Sequence, residues 1–400
     1  VASIPEPNKT QVALPSKPPI WNNPTYRAVF YQIIVLGGVI LFCVFLVNNT
    51  LANLERQGIA SGFGFLGNTA GFSIGESLIE YSEESSYGRV FWVGLMNTLL
   101  VSACGVVLAT ILGFVIGVAR LSSNWLISKL AAVYIEILRN IPLLLQIFFW
   151  YFAVLRPLPS PRQSVSLFDS IFLNNRGISA PKPTPEDGFW LVGSAIVVAL
   201  VAIVLLVRWA HQRQDRTGEQ FHTFWVSLGI LVGLPLLAAA VAGFPMHLDY
   251  PELRGFNFVG GMVLSPEFVA LLLALSTYTA SFIAEIVRAG IQAVSHGQSE
   301  AAHALGLRTG PTLRLIIIPQ ALRVIIPPLT SQYLNLTKNS SLAAAIAYPD
   351  IVLVFAGTAL MQTGQAVEIM GITLGVYLTI SLLISLFMNW YNKKMALVER

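Results

Sequence analysis

Apolar residues fall in long unbroken runs separated by short polar stretches. A helix needs roughly 20 apolar residues to cross a bilayer's hydrocarbon core. Eight segments meet that length: 28–47, 93–118, 130–155, 189–210, 223–242, 266–289, 322–347 and 367–390. The pattern predicts an all-α integral membrane protein with about eight transmembrane helices. Pro235 falls in the fifth segment and Pro327-Pro328 in the seventh. They predict kinks whose freed carbonyls neighbouring helices must satisfy.

An even number of spans puts both termini on one side, and the Lys and Arg choose the side. With the termini inside, the inner segments hold Arg120, Arg213, Arg308, Arg314, Lys393 and Lys394 among others. The outer segments are sparser. Four of their cations, Arg156, Arg162, Arg176 and Lys182, sit in the single loop 156–188 with Asp169, Glu186 and Asp187. That loop reads as a small docking surface. The expected location is a bacterial inner membrane, multi-pass, with both termini cytoplasmic.

Composition agrees. The chain is 55% apolar and 11% charged, against about 25% charged in a soluble domain. It has too little polar surface to cover itself in water. The net charge of +4 is scattered between apolar runs, a topology signal and not a nucleic-acid patch. Cys43 and Cys104 lie in separate runs and are expected to pack as small hydrophobes. Residues 1–27 are polar and Pro-rich, without the short apolar core of a signal peptide, and read as a cytoplasmic tail.

The loop 48–88 is rich in Gly and Ser, with acidic residues at Glu80, Glu83 and Glu84. Its Gly62-Phe63-Gly64-Phe65-Leu66-Gly67 matches a dinucleotide fingerprint as a bare string. That fingerprint works only between a strand and a helix. After a membrane span, an aromatic-Gly loop packing at the interface is the better reading.

Between the sixth and seventh runs lies SEAAHALGLRTGPTLRLIIIPQALR, 299–323. Ser299 can cap a short helix, with Glu300 in its first turn facing the positive end of the dipole. Ala301, Ala302 and Ala304 keep the helix slim. Gly306 suits a C′ position with positive φ. Pro311 is tolerated where the chain restarts a helix. The prediction is a helix, a tight turn and a second helix, smooth enough for another protein to grip.

The segment resembles the EAA loop of ATP-binding-cassette importer permeases, through Glu300-Ala301-Ala302, Gly306, Ile316 and Pro319, with Ile318 where the pattern has Leu. YIEILRNIPLLLQIFFWY (134–151) and VIIPPLTSQYLNLTKNSSLAAAI (324–346) resemble the polar amino acid permeases of that superfamily. The resemblance spans most of 91–394. The long first loop and an extra pair of spans resemble the general L-amino acid permeases.

The resemblance implies a five-helix type I importer core built from the second, third, sixth, seventh and eighth runs. It also implies a division of the chain. Residues 1–27 form a tail, 28–92 a first transmembrane helix and periplasmic loop, and 93–400 the permease domain with an inserted helix pair at about 189–243. The permease hydrolyses nothing in that family. ATP and Mg belong to a partner ATPase docked at the EAA helix, and no cofactor belongs to this chain. A periplasmic amino-acid-binding protein delivers substrate, and a second permease subunit completes a heterodimer. The sequence agrees in lacking a G-x-x-x-x-G-K phosphate cradle.

Ionisable groups inside spans are costly and become functional candidates. Glu136 and Arg139 lie three residues apart and share a helix face, as a structural pair or a functional one. Glu285 and Arg288 repeat the E-I-x-R pattern and read as structural. In the seventh run, Gln332, Asn335, Lys338 and Asn339, with Ser331, form a polar stripe. It suits a translocation path or hydrogen-bonded helix glue. Gln146, Tyr278 and Ser281 are weaker companions on that path. An amino acid needs donors and acceptors together, and this set has both.

Two rivals are weighed. An intramembrane enzyme needs a nucleophile or an acid–base pair at depth, yet all five histidines fall outside the spans. A stand-alone ion-coupled amino acid transporter would show inverted repeats, and only the short E-I-x-R echo is present. No metal-spaced cluster is seen.

Overall fold

The computed structural model describes residues 24–56 and 61–395. Most of the expected tail lies outside the described residues. The helices are α1 (Pro24–Arg56), α2 (Tyr87–Arg120), α3 (Trp125–Asn140), α4 (Leu143–Phe148, continued by a π-helical stretch Phe149–Leu155), α5 (Phe189–Thr217) and α6 (Thr223–Val241). Then come α7 (Pro266–Gln292), α8 (His296–Ala304), α9 (Thr309–Thr312), α10 (Ile318–Asn339), α11 (Leu360–Thr363) and α12 (Ala366–Met395). Among the described residues, seven helices are long and apolar enough to cross a membrane. The α3–α4 pair counts as an eighth, bent by 106°.

The third expected span, 130–155, is therefore not a straight helix. Pro142 lacks an N–H and forces the residue before it out of helical geometry. Ile141 accordingly sits at φ −95°, ψ 128°. Gln146 repairs the break. Its buried side chain turns back and donates to the carbonyls of Leu138 and Ile141, both at 2.9 Å, groups that a terminating helix strands. Pro235 and Pro327-Pro328 sit inside continuous helices.

The bundle is built on α2 and α7, which run parallel. Lipid tails are as apolar as leucine, so close packing and not water exclusion holds such helices together. Gly105, Ala109, Gly113 and Gly117 recur every four residues on α2, all buried. A Cβ at Gly113 would meet Ile283 Cγ2 at 2.5 Å, and one at Gly117 would meet the Ala284 carbonyl oxygen at 2.7 Å. Helix α10 returns antiparallel. Leu336 lies over Gly105, and the Tyr333 hydroxyl meets Thr110 Oγ1 at 2.9 Å.

At the end of the bundle where α2 and α7 begin, polar side chains pin the loops. Asn97 Nδ2 donates to the carbonyls of Glu76 and Pro349, both at 2.9 Å. Tyr348 Oη donates back to the Asn97 carbonyl at 3.1 Å. Asp350 is buried and accepts the Leu353 N–H at 2.9 Å. It caps the π-helical stretch Val352–Ala359. Residues Phe63–Gly67 form a 3-10 turn, with the Phe65 ring between Tyr87 and Phe355 at 6.2 and 6.3 Å. The Gly-rich string is thus a packing loop, and among the described residues no strand precedes it.

Hydropathy gave no sign of the eight short strands that lie, among the described residues, at this same end. They are β1 (Val165–Leu167), β2 (Ile171–Asn174), β3 (Gly177–Ala180), β4 (Lys182–Pro185), β5 (Met246–Asp249), β6 (Glu252–Arg254), β7 (Asn257–Val259) and β8 (Met262–Leu264). They form an antiparallel sheet in the order β1-β2-β3-β8 and two pairs, β4-β5 and β6-β7. The segments before α5 and after α6 are thereby zipped together. Gly177 is required there: at φ +111°, any Cβ would lie 2.0 Å from the Leu264 carbonyl oxygen. Phe172 stacks on Phe258 at 4.5 Å. Helices α5 and α6 pack chiefly on each other, and among the described side chains neither α1 nor α6 has a fully buried one. Such all-round apolar faces suit lipid.

Glu76 lies in the loop at this end and accepts the Ser265 N–H at 3.0 Å. Burial pushes its carboxyl above the ordinary value of 4.5, the Ser265 hydrogen bonds pull the other way, and Glu267 adds repulsion. A raised folded-state pKa means the folded chain holds the proton more tightly than the unfolded chain. Stability therefore falls as pH rises from the ordinary value through the raised one. Glu76→Gln keeps the acceptor oxygen and removes the charge. It is expected to raise the thermal midpoint in detergent at pH 8, with the difference gone by pH 4. A constant offset across that range would show that Glu76 titrates normally.

Candidate functional site

The expected helix–turn–helix is present at the opposite end of the bundle from the strands. Helix α8 begins one turn earlier than Ser299 suggested. Its N-cap is Ser295, without a side-chain hydrogen bond. Ser299 is therefore internal, and Glu300 lies in the second turn, past the strongest reach of the dipole. Glu300 instead meets His296 Nδ1 one turn back at 3.1 Å, both side chains exposed.

The C-terminal turn matches the expectation closely. Gly306 has φ +75°. Its N–H bonds the His303 carbonyl at 2.9 Å, and the Leu307 N–H bonds the Ala302 carbonyl at 3.0 Å. These two bonds form a Schellman motif. Pro311 falls in the first turn of α9. Ala302 is buried at 1% exposure, while Glu300, Ala301, His303, Ala304 and Leu305 are exposed. Leu305, at 81% exposure, is an apolar side chain with no cover in this chain. It is an exposed apolar position that the sequence did not single out.

The polar stripe of α10 is also present. Ser331, Asn335 and Lys338 are exposed, and Gln332 and Asn339 half-buried. The opposite face, with Leu336 and Thr337, is buried, and Tyr333 reaches α2. Among the described residues, Gln332, Asn335, Lys338 and Asn339 have no side-chain partner. Among the described residues the stripe therefore glues no other helix, and Ser331, Asn335 and Lys338 face outward from the bundle.

The weaker companions do not join it. Gln146 is committed to the α3–α4 break. Ser281 is fully buried and donates to the Tyr278 carbonyl of its own helix at 2.6 Å. Tyr278 packs on Phe282 at 5.0 Å, on the side of α7 that meets α3. The expected pair of Glu136 and Arg139 is not formed. The Arg139 guanidinium lies 5.1 Å over the Phe282 ring, so cation–π attraction takes the place of the carboxylate. Glu285 and Arg288 do pair. Among the described residues, no group of His, Cys, Asp or Glu is arranged to hold a metal ion.

Comparison with known proteins fits this arrangement. Residues 215–397 match the family model described as the binding-protein-dependent transport system inner membrane component. The chain is 57% identical over 378 residues to the general L-amino acid transport system permease protein AapQ of Rhizobium johnstonii, covering 94% of each chain. It is 59% identical to the putative amino-acid ABC transporter permease protein YhdX of Escherichia coli, covering 94% of this chain and 96% of that one. The glutamate/glutamine/aspartate/asparagine transport system permease protein BztB of Rhodobacter capsulatus is 44% identical, with 94% and 95% covered. These relatives are named as permeases, not ATPases. With a multi-pass helical bundle, an exposed Glu-Ala-Ala helix and identity along nearly its whole length, this chain belongs to the amino acid permeases of the ATP-binding-cassette transporters.

Proposed function

We propose that the chain is the transmembrane subunit of an ATP-driven importer that moves amino acids from periplasm to cytoplasm by alternating access. The observation that carries this reading is the exposed α8 helix, slim on its free side and held by one buried alanine. Helix α8 and the α9 restart lie on the cytoplasmic side, where a separate ATPase binds ATP and Mg and grips Ala301, Glu300 and Leu305. Closure of the ATPase pulls α8, and the pull passes through α9 into α10. The strand-bearing end faces the periplasm and receives the amino-acid-binding protein. Both termini are cytoplasmic.

The outward-facing stripe on α10 requires a partner across from it. A second permease subunit, related but not identical, supplies that wall. The substrate then passes between the two chains along Gln332, Asn335, Lys338 and Asn339. Unpartnered donors and acceptors serve a substrate that carries both a carboxylate and an ammonium group. Unsatisfied polar groups facing lipid would be costly, which favours a polar path over a lipid-exposed face.

The test is uptake into proteoliposomes holding the full complex and its binding protein. Replacing Asn335 and Lys338 together by leucine is expected to lower uptake by about tenfold or more, the loss of one or two charge-assisted hydrogen bonds. Basal ATP hydrolysis should persist. Uptake at the parent rate would remove the stripe from the path. ATP-independent uptake that an ionophore abolishes would replace the whole reading with an ion-coupled carrier.

A further inference from the structure

A second charged site lies inside the single chain, on the α8 side of the bundle. A cavity of about 280 Å³ opens between α2, α3 and α7, lined by Arg120, Glu136, Arg139, Glu285 and Arg288 with Ala132 and Ile135. At about 30 Å³ per water, it would hold on the order of nine waters, the scale of a small organic zwitterion.

Its charges are unevenly satisfied. Arg288 Nε donates to both Glu285 oxygens at 3.1 Å, and Arg288 Nη1 donates to Gln292 Oε1 at 2.6 Å. That pair is closed within α7. Arg120 Nη1 donates to Ser128 Oγ at 3.1 Å, a neutral partner, and meets the Glu285 charge only at longer range. Arg139 lies over the Phe282 ring and feels the Glu285 carboxylate at longer range, without an ion pair of its own. Glu136 has no partner among the described residues. Spacing of three residues would let Glu136 and Arg139 pair with each other, yet no ion pair within 4.0 Å joins them. Beside the closed Glu285–Arg288 pair, the cavity thus presents Arg120, Arg139 and the Glu136 carboxylate, none of them in an ion pair within 4.0 Å, to the same small space.

We propose that this cavity is a release site for the substrate amino acid, distinct from the α10 stripe. Arg139, with Arg120 behind it, takes the α-carboxylate, and Glu136 takes the α-ammonium. Guanidinium forks match a carboxylate's two oxygens. The site reads the part common to all L-amino acids and leaves the side chain free. A phosphate or a phospholipid head is the poorer fit, because Glu136 and Glu285 would stand beside it as like charges. The inference rests on the amino acid transport reading and on the placement of α8 at the cytoplasmic side.

The experiment uses the complete nucleotide-free transporter in nanodiscs and equilibrium binding of tritiated L-glutamine without binding protein. Arg139→Gln and Glu136→Gln are each expected to weaken binding by at least about tenfold, with Arg139→Lys retaining more than Arg139→Gln. Binding unchanged in either glutamine variant overturns the proposal, as does an unmodified transporter that binds no L-glutamine. It also falls if the variants lose only a dependence on anionic lipid. Asn335→Leu separates the two sites. If it blocks uptake but keeps L-glutamine binding, both readings stand. If it leaves uptake intact while Arg139→Gln loses binding, the stripe fails and this site survives.

Discussion

Gly306→Val will lower ATP-driven uptake by at least about tenfold while Gly306→Asn keeps most of it. Space is not the reason, since nothing lies within 4 Å of a Cβ at Gly306. The reason is φ, at +75°. An L-residue in that region costs about 1–2 kcal/mol, more when β-branched, whereas Asn tolerates it. Each 1.4 kcal/mol is a factor of ten in the population of the correct turn. When the turn opens, the two Schellman bonds go, and α8 loses its fixed angle to α9. On the proposed function, a partner gripping α8 would then pull on a slack joint. The readouts are uptake and ATP hydrolysis in the same proteoliposomes, with hydrolysis retained and uptake lost. Equal uptake for valine and asparagine would show that the turn transmits nothing.

Gly117→Ala will cost more than any loop change, and it will be seen as loss of folded protein. The added methyl would stand 2.7 Å from the Ala284 carbonyl oxygen and 2.8 Å from Val287 Cβ. A backbone oxygen in the middle of a helix cannot step aside. The helices must separate, and α2–α7 is the contact on which the rest is built. Overpacking of this kind costs about 1–3 kcal/mol, occasionally more. Gly113→Ala faces Ile283 in the same way, and the two together should leave little monodisperse protein in detergent. The control is Gly229→Ala on α6, where nothing lies within 4 Å. There alanine is the better helix former by about 0.8–1.0 kcal/mol. If Gly117→Ala elutes and melts as the parent does, the α2–α7 approach is looser than described.

The spans were legible because lipid demands long apolar runs and little else produces them. Gly306 was legible because a left-handed turn wants glycine whatever surrounds it. The ladder Gly105, Ala109, Gly113 and Gly117 is also visible in the sequence as small residues at a spacing of four, though only the structure shows which helix it meets. Other features had no local signal. Ser295 and Ser299 are both able to begin α8, and only the point where α7 ends decides between them. Gln146 looked like a path residue because a polar group in an apolar run invites that reading. Its real task, satisfying the carbonyls stranded by Pro142, depends on a bend that periodicity does not register. The strands are three or four residues long, too short for alternation to stand out, and β3 and β4 find β8 and β5 only on the far side of two helices. Arg139 turned to Phe282 and not to Glu136, a choice made by a ring on another helix.

The strands have a consequence for how the chain can change. In β4–β5, Pro185 stands opposite Met246, so the chain leaves for α5 and comes back from α6 at neighbouring points. Everything between is a closed excursion that begins and ends at one doorway. Lengthening, trimming or exchanging that excursion alters no distance inside the bundle, because β3 and β8 hold the doorframe and α7 starts directly behind it. Helices α5 and α6 are thus a detachable cassette, free to diverge in length and composition while the bundle behind them stays fixed.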